Sequence, residues 1–319
     1  MDLLVRARTP IYERTGSAEE TGVAFAYVCP TCKVSLTQGR CQACGFKTDL
    51  TKETPSFFSR SRIADRYRDI ARFYDDLYES RPNAWKDLVG RNAEFINFVS
   101  SLVRSKNPVR YLDLGCGQGF LLGAVSAPEK FGIDISRSAV EQARLHAAAK
   151  LCQGIVEELP FPDGSFDVVT GIGVMEHFLD TRAAMAEISR VLRRGGNYIV
   201  WLSMEVPLLE KFMLKVSEFI YPDFRPMRLC QWALAKCGRT FRKRADNKAS
   251  LDPVGQPVRN HQHLLGVRRL FWRSGFKVMS LITKRRMPGA PLQGHHFRIY
   301  VLEKAVSEGV SLWLKPFLF

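Results

Sequence analysis

The stretch Tyr111-Leu-Asp-Leu-Gly-Cys-Gly-Gln-Gly119 decides the fold class of this chain. Its apolar start predicts a buried strand, and its three glycines predict a tight turn that leads into a helix. Glycine adopts positive φ easily and lets the backbone approach a ligand closely, while the first N–H groups of the following helix are free to bind it. Dinucleotide-binding proteins have a similar loop, so the glycines alone do not identify the ligand.

Short apolar runs alternate with helical stretches around this loop. Strands are predicted at residues 109–114, 130–135, 151–156, 166–171, 198–202, 276–282 and 296–302. Helices are predicted within residues 57–105 and at residues 136–149, 181–192 and 264–273, and Gly195-Gly196 are predicted to end the third of these and turn into a strand. The alternation predicts an α/β fold with a mostly parallel sheet that helices cover on both faces.

Two carboxylates and one further sequence motif narrow the identity of the ligand. Asp113 lies inside the strand that precedes the glycines, and Asp134 ends the next strand, 19 residues after Gly115. A carboxylate at that strand end can accept hydrogen bonds from both hydroxyls of a ribose. The third feature is the run Glu158-Leu-Pro-Phe-Pro-Asp-Gly-Ser-Phe-Asp-Val-Val169.

Together these features resemble the class I S-adenosylmethionine (SAM)-dependent methyltransferases, especially the branch that modifies small molecules, quinones and lipids. The resemblance covers about residues 60–205 and the two closing strands. It implies a Rossmann-like, seven-stranded sheet, SAM as cofactor, and methyl transfer as the activity. The cofactor contacts that it implies are Asp113, Gly115, Cys116, Gly117, Gly119, Asp134, Ile135, Glu157 and Glu176.

One departure from the family pattern concerns the adenine end. Relatives usually read Gly-Asp-Ala-Glu before Leu-Pro-Phe, whereas this chain reads Gly154-Ile-Val-Glu-Glu158. Ile155 therefore occupies the place of an aspartate that lies near the adenine amine. Either Glu157 substitutes for it, or backbone groups alone recognise the adenine. Cys116 is interpreted as a small loop residue rather than as a nucleophile.

Four cysteines near the N-terminus predict a metal site. Cys29-Pro-Thr-Cys32 and Cys41-Gln-Ala-Cys44 form two C-x-x-C knuckles separated by eight residues. Four thiolates complete the tetrahedral shell of Zn²⁺ and leave no open position, so the zinc is expected to be structural. Unligated thiols or a redox pair are the alternatives. A module this small builds little core, so the metal is expected to supply its folding energy.

Histidines are the candidates for a proton acceptor or for contact with the acceptor molecule. His177 follows the fourth strand of the core, and His263 precedes the helix predicted at residues 264–273, as His261 does. His295 and His296 lie at the start of the last strand. Packing roles are the alternative for each of these histidines. Tyr67 and Tyr74, on the helix before the sheet, are candidates for a lid over the cofactor.

The net charge of +15 is concentrated in the C-terminal third, where 21 Lys and Arg stand against 8 Asp and Glu from Trp201 to Phe319. Residues 205–260 interrupt the strand–helix alternation with an apolar helical stripe and a basic run, and they are interpreted as an insertion. We expect a small-molecule, lipophilic acceptor there, with peripheral membrane contact as a further expectation. The competing hypothesis is an rRNA guanine-N1-type methyltransferase whose zinc module binds RNA. A catalytically silent SAM-binding partner protein is a third.

The predicted organisation has six parts. Residues 1–24 form a flexible N-terminus, 25–50 the zinc module, 57–105 a helical linker or lid, 106–204 the SAM-binding core, 205–260 the insertion, and 261–319 the closing helix and strands with an apolar tail. The first 14 residues lack the apolar segment of a signal peptide, and no apolar run is long enough to cross a membrane. The expected location is the cytoplasm, and the oligomeric state stays open.

Overall fold

The computed structural model describes residues 26–80, 93–204, 264–283 and 296–305 of the 319-residue chain. The insertion predicted at residues 205–260, together with His261, His263 and His295, lies outside these ranges.

The architecture is the predicted α/β sheet of seven strands. The strands are β1 (Arg110–Leu114), β2 (Glu129–Asp134), β3 (Lys150–Gln153), β4 (Phe166–Ile172), β5 (Leu192–Met204), β6 (Phe276–Thr283) and β7 (His296–Lys304). Their order is β3-β2-β1-β4-β5-β7-β6, and only β7 runs antiparallel to its neighbours. After β1 the strand order runs through β2 to β3 on one side of the sheet, and β4 then pairs with β1 on the other side. At such a change of direction a crevice opens beyond the carboxyl end of β1.

Six helices are described, together with two short 3₁₀ turns. The helices are α1 (Arg62–Ser80), α2 (Ala93–Arg104), α3 (Phe120–Ala124), α4 (Arg137–Ala143), α5 (Thr181–Val191) and α6 (Leu264–Arg273). The 3₁₀ turns are Val156–Glu158 and Met175–His177. Polar side chains cap two of the helices: the Ser136 hydroxyl accepts from the N–H of Ala139, and the Asp180 carboxylate accepts from two N–H groups of α5.

Three boundaries differ from the sequence prediction. The helix expected to reach residue 149 ends at Ala143, because a seven-residue helix of about 10 Å is enough to return the chain to a β3 of only four residues. β3 itself ends at Gln153, and residues 156–158 form a 3₁₀ turn instead of more strand. Gly195-Gly196 do not end α5; they lie inside β5, where the pairing with β4 shifts register and Gly195 takes φ +69°.

The core lies on both faces of the sheet. On one face the rings of Phe131, Phe161 and Phe166 meet edge to face, with Phe161 and Phe166 centroids 5.1 Å apart. On the other face, α2 packs on Tyr111 and its neighbours. The segment before α1 extends the sheet at β3, since the N–H of Phe57 donates to Gln153 and that of Gln153 to Pro55. Among the described helices, none combines the length and the apolar character needed to cross a membrane.

Candidate functional site

The glycine turn after β1 has the backbone that its sequence predicts. Gly115, Gly117 and Gly119 all have positive φ, at 62°, 49° and 79°. The Cys116 N–H donates to the carbonyl of Ile133 at 3.1 Å, which ties the turn to β2. A Cβ on Gly115 would lie 2.7 Å from Cγ2 of Val174, so this position has neither the space nor the dihedral angle for a side chain.

Asp134 faces this turn from the tip of β2. Its Oδ2 accepts from the N–H of Gly117 at 2.8 Å, and its Oδ1 accepts from the N–H of Ser136 at 2.9 Å. Only 8% of the residue is exposed. Burial raises the pKa of Asp134 to about 6, against the lowering effect of the two N–H groups, and the nearby Asp75 adds to the rise. The structure therefore brings together the carboxylate and the glycine turn that the sequence separates by 17 residues.

Asp113 lies beneath the turn and bonds across to β4. Its Oδ1 accepts from the hydroxyl of Thr170 at 2.6 Å, and the Tyr111 hydroxyl lies 2.7 Å from the same Thr170 oxygen. Burial raises the pKa of Asp113 to about 7, with a smaller contribution from the charge of Asp134. This buried chain of hydroxyls and carboxylate joins the two central strands directly under the glycines.

Helix α1 covers the turn from outside. A Cβ on Gly117 would lie 3.0 Å from the hydroxyl oxygen of Tyr78, so the tip of this ring rests against the turn. One oxygen of Asp75 accepts from the hydroxyl of Ser136 at 2.6 Å and from the N–H of Ser138 at 3.1 Å, which attaches α1 to the start of α4. The edge of the sheet beside Asp134 is therefore enclosed by α1.

The sequence-based lid candidates and the tyrosine that contacts the glycine turn are different residues of the same helix. The candidates are Tyr67 and Tyr74, whereas the tyrosine over the glycine turn is Tyr78. The three tyrosines are spaced by seven and four residues, which puts them on one face of a helix. This spacing is the signal that could have found Tyr78.

Glu157 lies at the other end of the crevice and joins three segments. Its Oε1 accepts from the Tyr67 hydroxyl at 2.7 Å, the Leu179 N–H at 3.0 Å and the Asp180 N–H at 3.1 Å. Its Oε2 is buried without a hydrogen-bond partner among the described residues. Burial raises the pKa of Glu157, although these donors oppose the rise. The surroundings are apolar: Tyr67 and Ala64 cluster here with Ile135, Ile155, Leu179 and further residues of α1.

Glu176 and His177 follow β4 at the same edge of the sheet. Both belong to the 3₁₀ turn Met175–His177, in which Glu176 is buried and His177 is partly exposed. The carbonyl of His177 accepts from the Tyr67 hydroxyl at 3.4 Å, so this turn also contacts α1. His296 begins β7, opposite Met204 of β5.

The four N-terminal cysteines converge as their spacing predicts. The sulfurs of Cys29, Cys32, Cys41 and Cys44 all lie within 4.8 Å of one another, and those of Cys29 and Cys44 are 3.6 Å apart. A tetrahedral zinc with Zn–S bonds of about 2.3 Å needs sulfurs about 3.8 Å apart. The cluster therefore has the donor chemistry of a zinc site, and its sulfur separations bracket the distance that a bound zinc needs.

The module that carries these cysteines packs onto the sheet domain. Tyr27, Leu36 and Phe46 pack against its core, and the rings of Tyr27 and Phe57 have centroids 4.8 Å apart. The N–H of Val28 donates to the carbonyl of Pro160 at 3.0 Å. The apolar surface of the module is thus part of the main core, and the module is not a separate appendage.

Comparisons with known proteins agree with this geometry. Residues 112–200 match the family model described as "Methyltransferase domain". The chain is 30% identical over 194 residues to an uncharacterized methyltransferase, YcgJ, of Bacillus subtilis, across 57% of this chain and 68% of that protein. It is 29% identical over 182 residues to a ubiquinone biosynthesis O-methyltransferase of Alkalilimnicola ehrlichii, across 51% of this chain and 72% of that protein.

The fold has relatives among solved structures. A structure of the Haloferax volcanii Trm112 methyltransferase activator with a methyltransferase superposes with a TM-score of 0.50 at 16% identity, and the match covers 74% of this chain and 99% of that one. At this identity the likeness shows the fold alone.

The fold, the glycine turn with its facing carboxylate, and these relatives define one class of protein. The chain belongs to the class I SAM-dependent methyltransferases. It is an enzyme that uses SAM as the methyl donor.

Proposed function

We propose that this methyltransferase modifies a small, lipophilic acceptor. The observation that carries the proposal is the enclosure of the glycine turn by α1, with Tyr78 against Gly117 and Asp75 on the start of α4. A site that a helix covers suits a small molecule better than a base held in folded RNA. The similarity to a ubiquinone biosynthesis O-methyltransferase supports a lipophilic acceptor as well.

The residues at the carboxyl edge of β1 and β2 fit the methionine and ribose parts of SAM. The backbone of Gly115, Cys116, Gly117 and Gly119 would hold the methionine part, with Asp113 supporting the turn from below. Each oxygen of Asp134 accepts one N–H, and a carboxylate oxygen can accept two hydrogen bonds, so both oxygens can also take a ribose hydroxyl. Tyr78 would form the outer wall, and its ring would shift away from Gly117 when the cofactor enters.

The adenine end would lie between Ile135 and the apolar residues at the end of β3. Ile155 occupies the place of the usual family aspartate and packs in the same cluster as Ile135. The Oε2 atom of Glu157 is a buried carboxylate oxygen that accepts no hydrogen bond from the described residues. We assign it to the adenine amine, while Oε1 keeps α1 and the start of α5 in place. Glu176 would close the opposite side of the cofactor.

SAM supplies an electrophilic methyl group on a sulfonium centre. The chain has to orient the acceptor atom for in-line attack and to exclude water, and it has to take a proton when the acceptor is a hydroxyl or an amine. His177 is our candidate for this role within the described residues, since it is partly exposed next to the buried Glu176 at the edge of β4. His263 remains a second candidate from its place in the sequence.

We also propose that Cys29, Cys32, Cys41 and Cys44 hold one structural zinc ion. Their four sulfurs would form a closed shell around the ion and leave no position for a substrate. The purified chain is expected to contain about one zinc ion, and Cys41→Ser is expected to lose it. Cys152→Ala, a buried cysteine outside the cluster, serves as the control that keeps the metal. Full zinc occupancy in Cys41→Ser would refute the site.

The basic C-terminal third suits an anionic surface or substrate group. We propose peripheral contact with the cytoplasmic face of a membrane through this region, because Lys and Arg outnumber Asp and Glu there by 13. Flotation of the purified protein with anionic and neutral vesicles tests this contact. Equal recovery with both vesicle types would contradict it.

The cofactor assignment is tested by calorimetry with SAM. Asp134→Ala is expected to abolish measurable binding, because it removes the acceptors for both ribose hydroxyls. Asp69→Ala on the exposed surface of α1 is the matched control and is expected to bind as the wild type does. Unchanged affinity in Asp134→Ala would refute the ribose assignment.

The acceptor class is tested with SAM that carries a labelled methyl group. The enzyme is incubated in parallel with a total lipid extract and with total RNA, and the label is followed into each fraction. Label in the lipid fraction is the expected result. Label in RNA alone would overturn the lipophilic acceptor in favour of the rRNA methyltransferase hypothesis.

A further inference from the structure

A buried cluster of charges joins the cysteine module to the loop that leads from the adenine end of the crevice. Lys33 follows the last cysteine of the first knuckle, and its Nζ donates to Oε2 of Glu187 on α5 at 2.5 Å. The same carboxylate oxygen accepts the N–H of Leu159 at 2.8 Å. One carboxylate of α5 therefore holds the cysteine module and the loop at residues 157–163 together.

Arg190 completes this cluster from the next turn of α5. Its guanidinium donates to both oxygens of Glu187, at 2.7 and 2.8 Å, and to the carbonyls of Leu159 and Phe161 at 3.0 and 2.7 Å. The side chains of Lys33, Glu187 and Arg190 are only 26%, 11% and 16% exposed. Water and salt screen charges this buried only weakly, so the ion pairs hold the three side chains in one arrangement.

The knuckle itself orients Lys33. Lys33 has φ +62°, a left-handed conformation that a lysine seldom adopts, and its N–H donates to the carbonyl of Cys29 at 3.0 Å. A metal that clamps Cys29 and Cys32 would hold this turn in place. Without the metal, the packing of the module on the sheet domain would remain, but the turn that carries Lys33 would lose the clamp between Cys29 and Cys32.

The other end of the loop belongs to the cofactor crevice. Leu159 lies two residues after Glu157, whose Oε1 is bonded to α1 and to the N–H groups of Leu179 and Asp180. The loop is thus held at Glu157 on the crevice side and at Leu159 and Pro160 on the module side. A displacement of the module would therefore move Leu159, and only two peptide units separate Leu159 from Glu157.

We infer that the cysteine module braces the SAM site, with Lys33 and Glu187 as positioning residues that couple metal occupancy to cofactor affinity. This inference rests on the proposed zinc site and on the proposed contact between Glu157 and adenine. It gives the module a role inside the enzyme, in contrast to an arm that reaches for RNA.

The test uses the whole chain of 319 residues, purified without chelator so that a bound metal is retained. Zinc content, SAM affinity by calorimetry, and backbone hydrogen exchange of residues 155–163 are measured for wild type, Lys33→Met, Lys33→Arg and Lys47→Met. Lys33→Met is expected to keep its zinc, to bind SAM about five- to tenfold more weakly and to exchange faster in the loop. Lys33→Arg, which keeps the charge and the donor, is expected to recover most of the affinity, and the exposed Lys47→Met to match the wild type.

Removal of zinc with a chelator supplies the second arm. Zinc removal is expected to weaken SAM binding strongly in the wild type and only slightly in Lys33→Met, because that substitution has already removed the ion pair between the module and Glu187. Zinc-loaded Lys33→Met with wild-type affinity and exchange would overturn the brace. A wild-type chain that never contains zinc would instead refute the metal site, and the two failures are therefore distinct.

Discussion

Replacement of Asp113 by asparagine tests how the buried carboxylate under the glycine turn affects stability. The pKa of Asp113 is raised to about 7 from 3.8, chiefly by burial. In the cofactor-free protein the folded state then keeps a proton that the unfolded chain releases. Stability contributed by this group is therefore fully present below about pH 4, is lost as the pH rises toward about 7, and stays lost above that.

The size of this loss follows from the shift. Each pKa unit corresponds to about 1.4 kcal/mol, so between pH 5 and pH 8 ionisation of Asp113 costs about 3 kcal/mol of the free energy of unfolding. The asparagine side chain would not ionise, and its amide oxygen can still accept the hydroxyl of Thr170. Its added N–H₂ group needs hydrogen-bond partners and lowers the free energy of unfolding by about 1–3 kcal/mol at every pH. The informative quantity is therefore how steeply the free energy of unfolding changes with pH.

The assay is urea unfolding of the cofactor-free protein at pH 5, 6, 7 and 8. We expect the wild type to lose about 3 kcal/mol more than Asp113→Asn across this range. Asp69→Asn, at an exposed position of α1, is the control and is expected to follow the wild-type slope. Parallel slopes for wild type and Asp113→Asn would refute the claim that burial holds the proton on this carboxyl.

Three further outcomes are expected. SAM affinity should fall as the pH drops through about 6, the pKa to which burial raises Asp134, because the protonated carboxyl loses acceptor capacity for the ribose; calorimetry that finds no change between pH 8 and pH 5 would contradict this. Gly115→Ala should lower the free energy of unfolding by about 2 kcal/mol or more, since its Cβ would lie 2.7 Å from Val174. Gly195→Ala, which has a similar φ but open space around it, should lower it by only about 1 kcal/mol. Equal losses for the two variants in urea unfolding would show that the contact with Val174 is irrelevant. Tyr67→Phe should cost about 1–2 kcal/mol by removing a hydroxyl bonded to a buried carboxylate, and an unchanged melting temperature would count against that bond.

Local patterns predicted the parts of the site that depend on short separations. The glycine turn, Asp134 at the end of β2 and the cysteine knuckles each follow from the dihedral freedom or the donor chemistry of a few neighbouring residues. The same reasoning failed for Gly195-Gly196. A glycine pair is typical of a helix end, but here the pairing of β5 with β4 decides its place, and the glycines absorb a shift of register inside the strand.

Two features of the chain were decided only by the tertiary structure. The first is the position of α1, which brings Tyr78 against Gly117, and the second is the ion pair between Lys33 and Glu187, which lie 154 residues apart. The sequence by itself determined the sheet, the glycine turn and the cysteine knuckles, because each has a periodicity or spacing that acts within one or two elements. Contacts between distant segments carry no such pattern, since they form only when the packing of the whole core selects one arrangement among many.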